Sequence, residues 1–179
     1  MALRIAVSGS AGTGKSTLAR RVAEVLGVPY IPEGMREHIE RTGVNLHSLG
    51  HEGLRRLVLQ LWAERREAEA AHASFVADRS SYDFAAFWLF YRFAEPDADT
   101  DRLFADALAP RYDAVFLLPW GGIPLMADGL RNTNPWVQLH YQLVLEGVLG
   151  RWGQGVVRVE AATLEERADA ILTWARARC

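Results

Sequence analysis

Apolar residues in this chain come in short runs separated by amphipathic stretches, which predicts strands that alternate with helices. The first run, at residues 3–8, predicts a buried strand. Residues 16–26 predict a helix that places Leu18, Val22 and Val25 on one face. The chain therefore opens with a strand and a helix, joined by a short segment rich in glycine.

The alternation continues to the end of the chain. Further short strands are predicted at residues 28–32, 74–77, 114–118 and 156–159. Helices are predicted at residues 35–41, 52–73, 82–94, 100–109 and 135–150, and from Thr163 to the C-terminus. Five strands separated by helices indicate a three-layer α/β fold, with a five-stranded parallel sheet and helices on both faces.

Length and composition fit one globular domain over residues 1–179. Half of the residues are apolar, 23% are charged and the net charge is −2, so nothing attracts the chain to nucleic acid or an anionic membrane. No apolar run has the length of a membrane span. The lone cysteine, Cys179, excludes a disulfide framework. Because a glycine-rich motif begins at residue 9, we expect no signal peptide and a cytoplasmic protein.

Lys15 is the only lysine beside 19 arginines, and it lies in a phosphate-binding loop pattern, G-x-x-x-x-G-K-[S/T]. Glycines let backbone N–H groups curl around a phosphate, and the following helix contributes its positive end. Strand, loop and helix occur in the required order. The predicted nucleotide-binding residues are Gly9, Ser10, Ala11, Gly12, Thr13, Gly14, Lys15, Ser16 and Thr17.

Asp78 and Arg79 follow the predicted third strand, at the sheet edge where parallel α/β folds bind ligands. Mg²⁺ prefers oxygen ligands and keeps several waters, so the Ser16 hydroxyl, phosphate oxygens and the Asp78 carboxylate would suffice. We therefore predict Ser16 and Asp78 as magnesium ligands. In the alternative, Asp78 only caps the turn into the next helix.

Glu33 ends the second strand, and Arg36 lies about one helical turn further on. The carboxylate could orient or deprotonate an acceptor hydroxyl, and Arg36, with Arg79, could position the acceptor. In the alternative, Glu33 is a helix N-terminal acid and Arg36 a surface residue.

Residues 120–134 are rich in Gly, Pro and Asn and predict a lid loop that contains Arg131. An arginine that closes over a transferred phosphoryl group stabilises its charge. In the alternative, Arg131 is a solvated surface residue.

Three other features receive a structural interpretation. The charged, Ala-rich segment 63–69 predicts a solvated helix face without a function. The aromatic residues between Tyr82 and Phe93 predict core packing, with base stacking by Trp88 or Tyr91 as the minor alternative. The histidines lack metal-ligand spacing, so no metal besides magnesium is expected.

The ordered set of motifs resembles the NadR-like branch of P-loop kinases, an AAA-type domain of the ribosylnicotinamide kinase kind. The residues that carry the resemblance are Gly9–Thr17, residues 33–37 (E-x-x-R-E), residues 78–80, and residues 119–120 through Asp128-Gly129-Leu130-Arg131. The resemblance covers nearly the whole chain. It implies ATP with Mg²⁺ as donor, a small hydroxyl or phosphate acceptor, Glu33 and Asp78 at the acceptor and metal sides, and Arg131 in the lid.

These observations predict an ATP- and Mg²⁺-dependent kinase that transfers the γ-phosphoryl group to a nucleoside-like or mononucleotide acceptor. Lys15, Asp78, Glu33 and Arg131 are its predicted catalytic residues. GTP remains a possible donor, and an oligomer remains possible.

Family lids carry further basic residues after D-G-x-R, whereas residues 132–138 here contain none. The alternative function is therefore a nucleotide-binding switch or slow NTPase. A nucleic-acid-dependent ATPase is disfavoured because the chain has no basic stripe.

Overall fold

A single parallel sheet organises the chain. In the computed structural model, residues 2–121 and 134–178 are described, except for the side chain of His47. The strands are β1 (Arg4–Ser8), β2 (Tyr30–Ile31), β3 (Phe75–Asp78), β4 (Ala114–Leu117) and β5 (Val156–Arg158). They lie in the order β2-β3-β1-β4-β5, and every neighbouring pair is parallel. The predicted fold class is thereby confirmed.

Seven helices connect and flank the strands within the described residues. They are α1 (Lys15–Leu26), α2 (Met35–Thr42), α3 (Gly50–Ala70), α4 (Ser81–Phe90), α5 (Ala98–Ala107), α6 (Pro135–Trp152) and α7 (Leu164–Arg176), with a short 3-10 helix at Leu46–Ser48. None of the described helices combines the length and the apolar character that a membrane span requires.

The register of the sheet brings the functional segments together. β1 is central, and its Val7 lies opposite Asp78 of β3 while its Ser8 lies opposite Leu117 of β4. The segments that leave the carboxyl ends of these strands therefore start at the same level. The glycine-rich loop after β1 consequently begins beside Asp78, where ligands bind in parallel α/β sheets.

Alternation along the strands builds one core on each face of the sheet. On one face, Ile5 and Val7 of β1 pack with Leu18 of α1 and Ile171 of α7. On the other face, the strands pack against α3, α4, α5 and α6 through a cluster that includes Ala6, Val115, Leu117, Trp88 and Leu145. Both faces are covered by helices, as the near-continuous apolar strands require.

Most predicted elements are confirmed, with shifts at their ends. The predicted 52–73 helix begins earlier, at Gly50, and ends at Ala70. The predicted 82–94 helix ends at Phe90, and Arg92 just beyond it has a left-handed φ of 59°. That reversal lets Phe93 fold back into the core, where it is fully buried.

The predicted apolar face of α1 is wrong at one position. Leu18 and Val22 are fully buried, but Val25 is 43% exposed. The alanines Ala19 and Ala23 complete the buried face instead. These small side chains let α1 lie close to the sheet, and a stripe at 18, 19, 22 and 23 turns position 25 toward solvent.

The aromatic helix α4 is core, as predicted. Tyr82, Phe84 and Trp88 are buried, and the Trp88 indole N–H donates to Thr100 Oγ1 at 3.1 Å. The proposed stacking of a base on Trp88 is wrong, because this side chain has no exposed surface. Tyr91, at 38% exposure, remains accessible.

Truncation at positions 18 and 25 of α1 tests this packing. We expect Leu18→Ala to lower the free energy of unfolding by about 2–5 kcal/mol, since it opens a cavity beneath the sheet. Val25→Ala, on the same helix, should change it by less than about 0.5 kcal/mol. Denaturant unfolding of the two variants measures the difference, and equal losses would contradict the assigned faces.

Candidate phosphoryl-transfer site

The loop between β1 and α1 has the backbone of a phosphate-binding loop. Gly9 has φ 145°, and a Cβ there would meet Leu118 O at 3.2 Å, so only glycine fits without displacement. Gly14 immediately precedes α1 with φ 86°, and its carbonyl accepts from the amide of Leu18. The first turn of α1 therefore points its N–H groups into the loop, where an anion is stabilised.

Lys15 lies inside this loop and is 5% exposed. Its Nζ donates to Ser10 O at 2.6 Å, and Thr13 Oγ1 donates to the same carbonyl at 3.0 Å. The loop thus closes on itself through one carbonyl oxygen. A lysine held at the centre of the loop is placed to contact phosphates bound by its amides.

Burial and four nearby charged side chains change the pKa of Lys15. Burial, together with the positive charge of Arg79, lowers the pKa of the Lys15 ammonium from 10.5 to about 7. The carboxylates of Asp78, Glu33 and Asp83 act in the opposite direction. The predicted catalytic residues of the described part of the chain therefore form one electrostatic cluster around the loop.

Three buried side chains support the loop from outside, and sequence reasoning missed all of them. Gln142 Oε1 accepts from Ser10 N at 2.8 Å, and Gln138 Oε1 accepts from Ala11 N at 3.2 Å. Arg167 of α7 donates to Thr13 O at 2.9 Å. They come from the last two helices, more than a hundred residues after the loop, so no local pattern announces them.

Asp78 lies at the end of β3 and is 2% exposed. Its Oδ2 accepts from the hydroxyl of Tyr30 at 3.4 Å, whereas its Oδ1 has no hydrogen-bond partner among the described residues. A buried carboxylate oxygen without a partner is costly unless a ligand completes it. The donor set fits Mg²⁺, which needs few protein ligands besides phosphate oxygens and water; Asp78 and Ser16 would hold it.

The capping role considered for Asp78 belongs to other residues. The amide and hydroxyl of Ser80 both donate to Asp83 Oδ2, at 2.9 Å and 2.8 Å, which closes the start of α4. The hydroxyl of Ser8 donates to the same oxygen at 2.6 Å. Asp83 therefore joins α4 to the end of β1, and Asp78 is left to face the loop.

Glu33 pairs with Arg79, across the end of β3. Glu33 Oε1 lies 2.8 Å from Arg79 Nε, an ion-pair contact without hydrogen-bond alignment. The acid at the start of α2 is Glu37, which accepts from Gly34 N at 3.2 Å. Glu33 has a further contact, its ion pair with Arg79, and its carboxylate is partly exposed beside the cluster.

Arg79 is the buried centre of the polar network. Its Nη1 donates to Gly9 O and lies at an equal 3.0 Å from Asp83 Oδ1, and it also approaches the Tyr141 hydroxyl at 3.3 Å. Burial alone would lower the pKa of this guanidinium, but Glu33 and Asp83 raise it well above its ordinary value. Arg79 is therefore a permanent cation that joins the loop, the segment after β2, α4 and α6.

The backbone at Arg79 is held in an unfavourable conformation. Its φ is 72°, in the left-handed region that non-glycine residues rarely adopt. Arg65 of α3 donates to the carbonyls of Asp78 and Arg79 and, at 2.8 Å, to that of Pro32. Glu69 accepts from Arg65 Nε at 2.7 Å and neutralises it.

The prediction of a solvated, functionless face at 63–69 is thus wrong for two of its residues. Arg65 and Glu69 are 3% and 5% exposed. Arg65 contacts the end of β3 and the segment after β2, through the carbonyls of Asp78 and Pro32. The i,i+4 spacing that suggested a surface charge pair is the same for a buried pair, so the segment alone could not distinguish the two.

The two remaining predicted site residues are Arg36 and Arg131. Arg36 is exposed on α2, three positions after Glu33. Arg131 and most of the predicted 120–135 lid lie outside the described residues, so the lid assignment stays a prediction. Within the described ranges, no group of three His, Cys, Asp or Glu side chains could hold a metal ion.

The sheet order, the loop and the surrounding charges define a P-loop nucleotide-binding fold of the nucleoside and nucleotide kinase type. The AAA domain family model matches residues 4–167, and the chain belongs to this family. The family resemblance predicted from the motifs is confirmed.

Curated relatives match over shorter segments. The cytidylate kinase of Desulfurococcus amylolyticus is 36% identical over 74 residues, which are 40% of each chain. The cytidylate kinase of Fervidobacterium nodosum is 42% identical over 52 residues, 29% of this chain and 23% of that one. The match thus spans less than half of either relative.

Solved structures share the fold over nearly the whole chain. NadR in complex with NAD and AMP-PNP superposes with a TM-score of 0.69 at 20% identity, over 98% of this chain and 49% of that one. Deoxyadenosine kinase from M. mycoides gives 0.72 at 12% identity, over 99% and 100%. Thymidylate kinase from Candida albicans gives 0.70 at 15% identity, over 98% and 92%.

Binding of ATP should change the protonation of Lys15. At about pH 8 this buried amine, with its pKa near 7, is mostly neutral, and the added phosphate charge should restore its proton. We expect uptake approaching one proton per nucleotide. Calorimetry of Mg·ATP binding in buffers of different ionisation enthalpy measures it.

The same titration at about pH 6 is the internal control, since Lys15 is then largely protonated before binding and its uptake should vanish. Equal proton uptake at the two pH values would contradict the lowered pKa.

Proposed function

We propose that the protein is an ATP- and Mg²⁺-dependent kinase that transfers the γ-phosphoryl group to a nucleoside-like acceptor. The observation that carries the proposal is that two carboxylates, Asp78 at the end of β3 and Glu33 just after β2, act on the charge of Lys15 in the loop. A phosphate-binding lysine, a carboxylate suited to magnesium and a second carboxylate beside them are the parts that phosphoryl transfer requires.

Each residue has a separate role in the proposed reaction. Lys15 and the loop amides bind the β- and γ-phosphates, and Ser16 with Asp78 holds Mg²⁺, which would neutralise charge on the phosphates when bound. Glu33 accepts the proton of the acceptor hydroxyl as the oxygen attacks the γ-phosphorus, and the bond from that phosphorus to the β,γ-bridging oxygen breaks to release ADP. Arg131 stabilises the transferred group from the lid.

The charge around Glu33 favours a hydroxyl over a phosphate as the acceptor. Arg79 and Arg65 are two buried guanidinium groups near the strand ends, and each is already paired with a carboxylate. Glu33 itself repels an incoming phosphate. The acceptor would therefore be uncharged at the reacting position, as in a nucleoside. Arg79 would position it indirectly, by holding Glu33, and Arg36 would contact it from the exposed surface of α2.

A panel of acceptors tests the proposal directly. The protein is incubated with ATP, Mg²⁺ and a set of nucleosides and nucleoside monophosphates, and transfer is followed by phosphorus NMR. We expect a new phosphomonoester from at least one nucleoside, and no transfer by Lys15→Ala, which lacks the phosphate-binding cation. Hydrolysis to inorganic phosphate without any acceptor product would favour the nucleotide switch or slow NTPase instead.

Glu33→Gln separates the acceptor step from nucleotide binding in the same assay. This variant keeps the size of the side chain but removes the proton acceptor, so we expect kcat to fall by about a hundredfold or more. The Kd for ATP should change little, because Glu33 lies on the acceptor side.

A further inference from the structure

The first turn of the phosphate-binding loop is bonded to α6 through two glutamine side chains one helical turn apart. Gln138 accepts from the amide of Ala11 and Gln142 from that of Ser10. The glutamines are 7% and 2% exposed. The N–H groups of two consecutive loop residues are therefore hydrogen-bonded to buried side chains of α6.

The peptide between Ser10 and Ala11 is held from both sides. In a trans peptide the C=O and N–H groups point in opposite directions. Gln138 receives the Ala11 N–H at 3.2 Å, while Lys15 and Thr13 donate to the Ser10 carbonyl at 2.6 Å and 3.0 Å. Hydrogen bonds at the two ends of one peptide polarise it and strengthen each other. The plane of this peptide sets the direction of the loop that follows.

Gln142 extends the connection to the neighbouring strand. Its Nε2 donates to Leu118 O, just beyond β4, at 3.2 Å and to Glu146 Oε1 at 2.9 Å. The same Leu118 carbonyl lies against Gly9, where the loop starts. Gln142 therefore joins the loop, the end of β4 and α6 at one buried point, because its amide oxygen accepts from the loop and its amide nitrogen donates to the residue after β4.

The ammonium of Lys15 cannot hold this peptide alone while it also contacts the phosphates of a bound nucleotide. Its donors are shared between Ser10 and the phosphates that it is expected to contact. The glutamine oxygens accept from the loop amides on the side of α6, so these two hydrogen bonds do not depend on the donors of Lys15.

We propose that Gln138 and Gln142 are positioning residues that hold the first turn of the loop in its phosphate-binding geometry while Lys15 engages the nucleotide. The inference rests on the proposed function, in that the loop binds ATP. It assigns α6, which begins at Pro135 directly after the predicted lid, a direct part in nucleotide affinity. Neither glutamine contacts the acceptor in this account.

Methionine substitutions test the proposal, because methionine has a similar length and shape but cannot accept these hydrogen bonds. We expect Gln138→Met and Gln142→Met each to raise the KM for ATP about three- to tenfold, the effect of losing one or two net hydrogen bonds. The KM for the acceptor should stay within about twofold. Gln60→Met, at an exposed glutamine of α3, is the matched control and should leave both values unchanged.

Amide hydrogen exchange of Ser10 and Ala11, measured by NMR without nucleotide, gives a readout that general destabilisation would not move selectively. We expect these two amides to exchange faster in the variants while amides of α3 keep their wild-type rates. Unchanged exchange at Ser10 and Ala11 together with an unchanged KM for ATP would overturn the proposal. So would a parallel rise of both KM values with faster exchange throughout the chain.

Failure of the proposed function would look different. If the wild-type protein bound no ATP, the kinase assignment would fall, while the exchange rates would still report whether the glutamines hold the loop. If the wild type bound ATP and the methionine variants bound it equally well, the positioning role alone would fall.

Discussion

The site depends on the burial of one guanidinium, that of Arg79, among groups from four parts of the chain. It pairs with Glu33 after β2 and with Asp83 of α4, and it donates to Gly9 O of the loop and approaches Tyr141 of α6. A buried charge is tolerated only where its partners satisfy it. These elements must therefore come together in one arrangement, and that arrangement places the loop beside the strand ends.

This constraint also explains the local features around the loop. The left-handed backbone at Arg79 is retained because Arg65 binds the carbonyls of Asp78 and Arg79 from below. The positive charge of Arg79 helps to lower the pKa of Lys15, which prepares the lysine to gain a proton when phosphates arrive. Glu33 is kept beside the cluster by the same cation. The strained backbone, the lowered pKa of Lys15 and the position of Glu33 thus all involve Arg79.

The fold could be predicted well from the sequence, because the signals that determine its strands and helices act between residues close together in the chain. Short apolar runs, the glycine motif, Pro135 at the start of α6 and Thr163 as an N-cap each determine structure within a few residues. The cluster around the loop was predictable in part, since the carboxyl ends of parallel strands lie at the same edge of the sheet. Its supporting residues were not. Gln142 bonds to a loop 132 residues earlier, and the charged helix segment 63–69 gave no sign that Arg65 would be buried.

A double-mutant cycle between Arg79 and Asp83 tests the central role of this buried cation most directly. Arg79→Met alone should lower the free energy of unfolding by about 3–5 kcal/mol, because it leaves carboxylates buried without their partner. Adding Asp83→Asn to it should cost less than Asp83→Asn costs in the wild type, with a coupling above about 1 kcal/mol. Losses that add within about 0.5 kcal/mol would contradict the account.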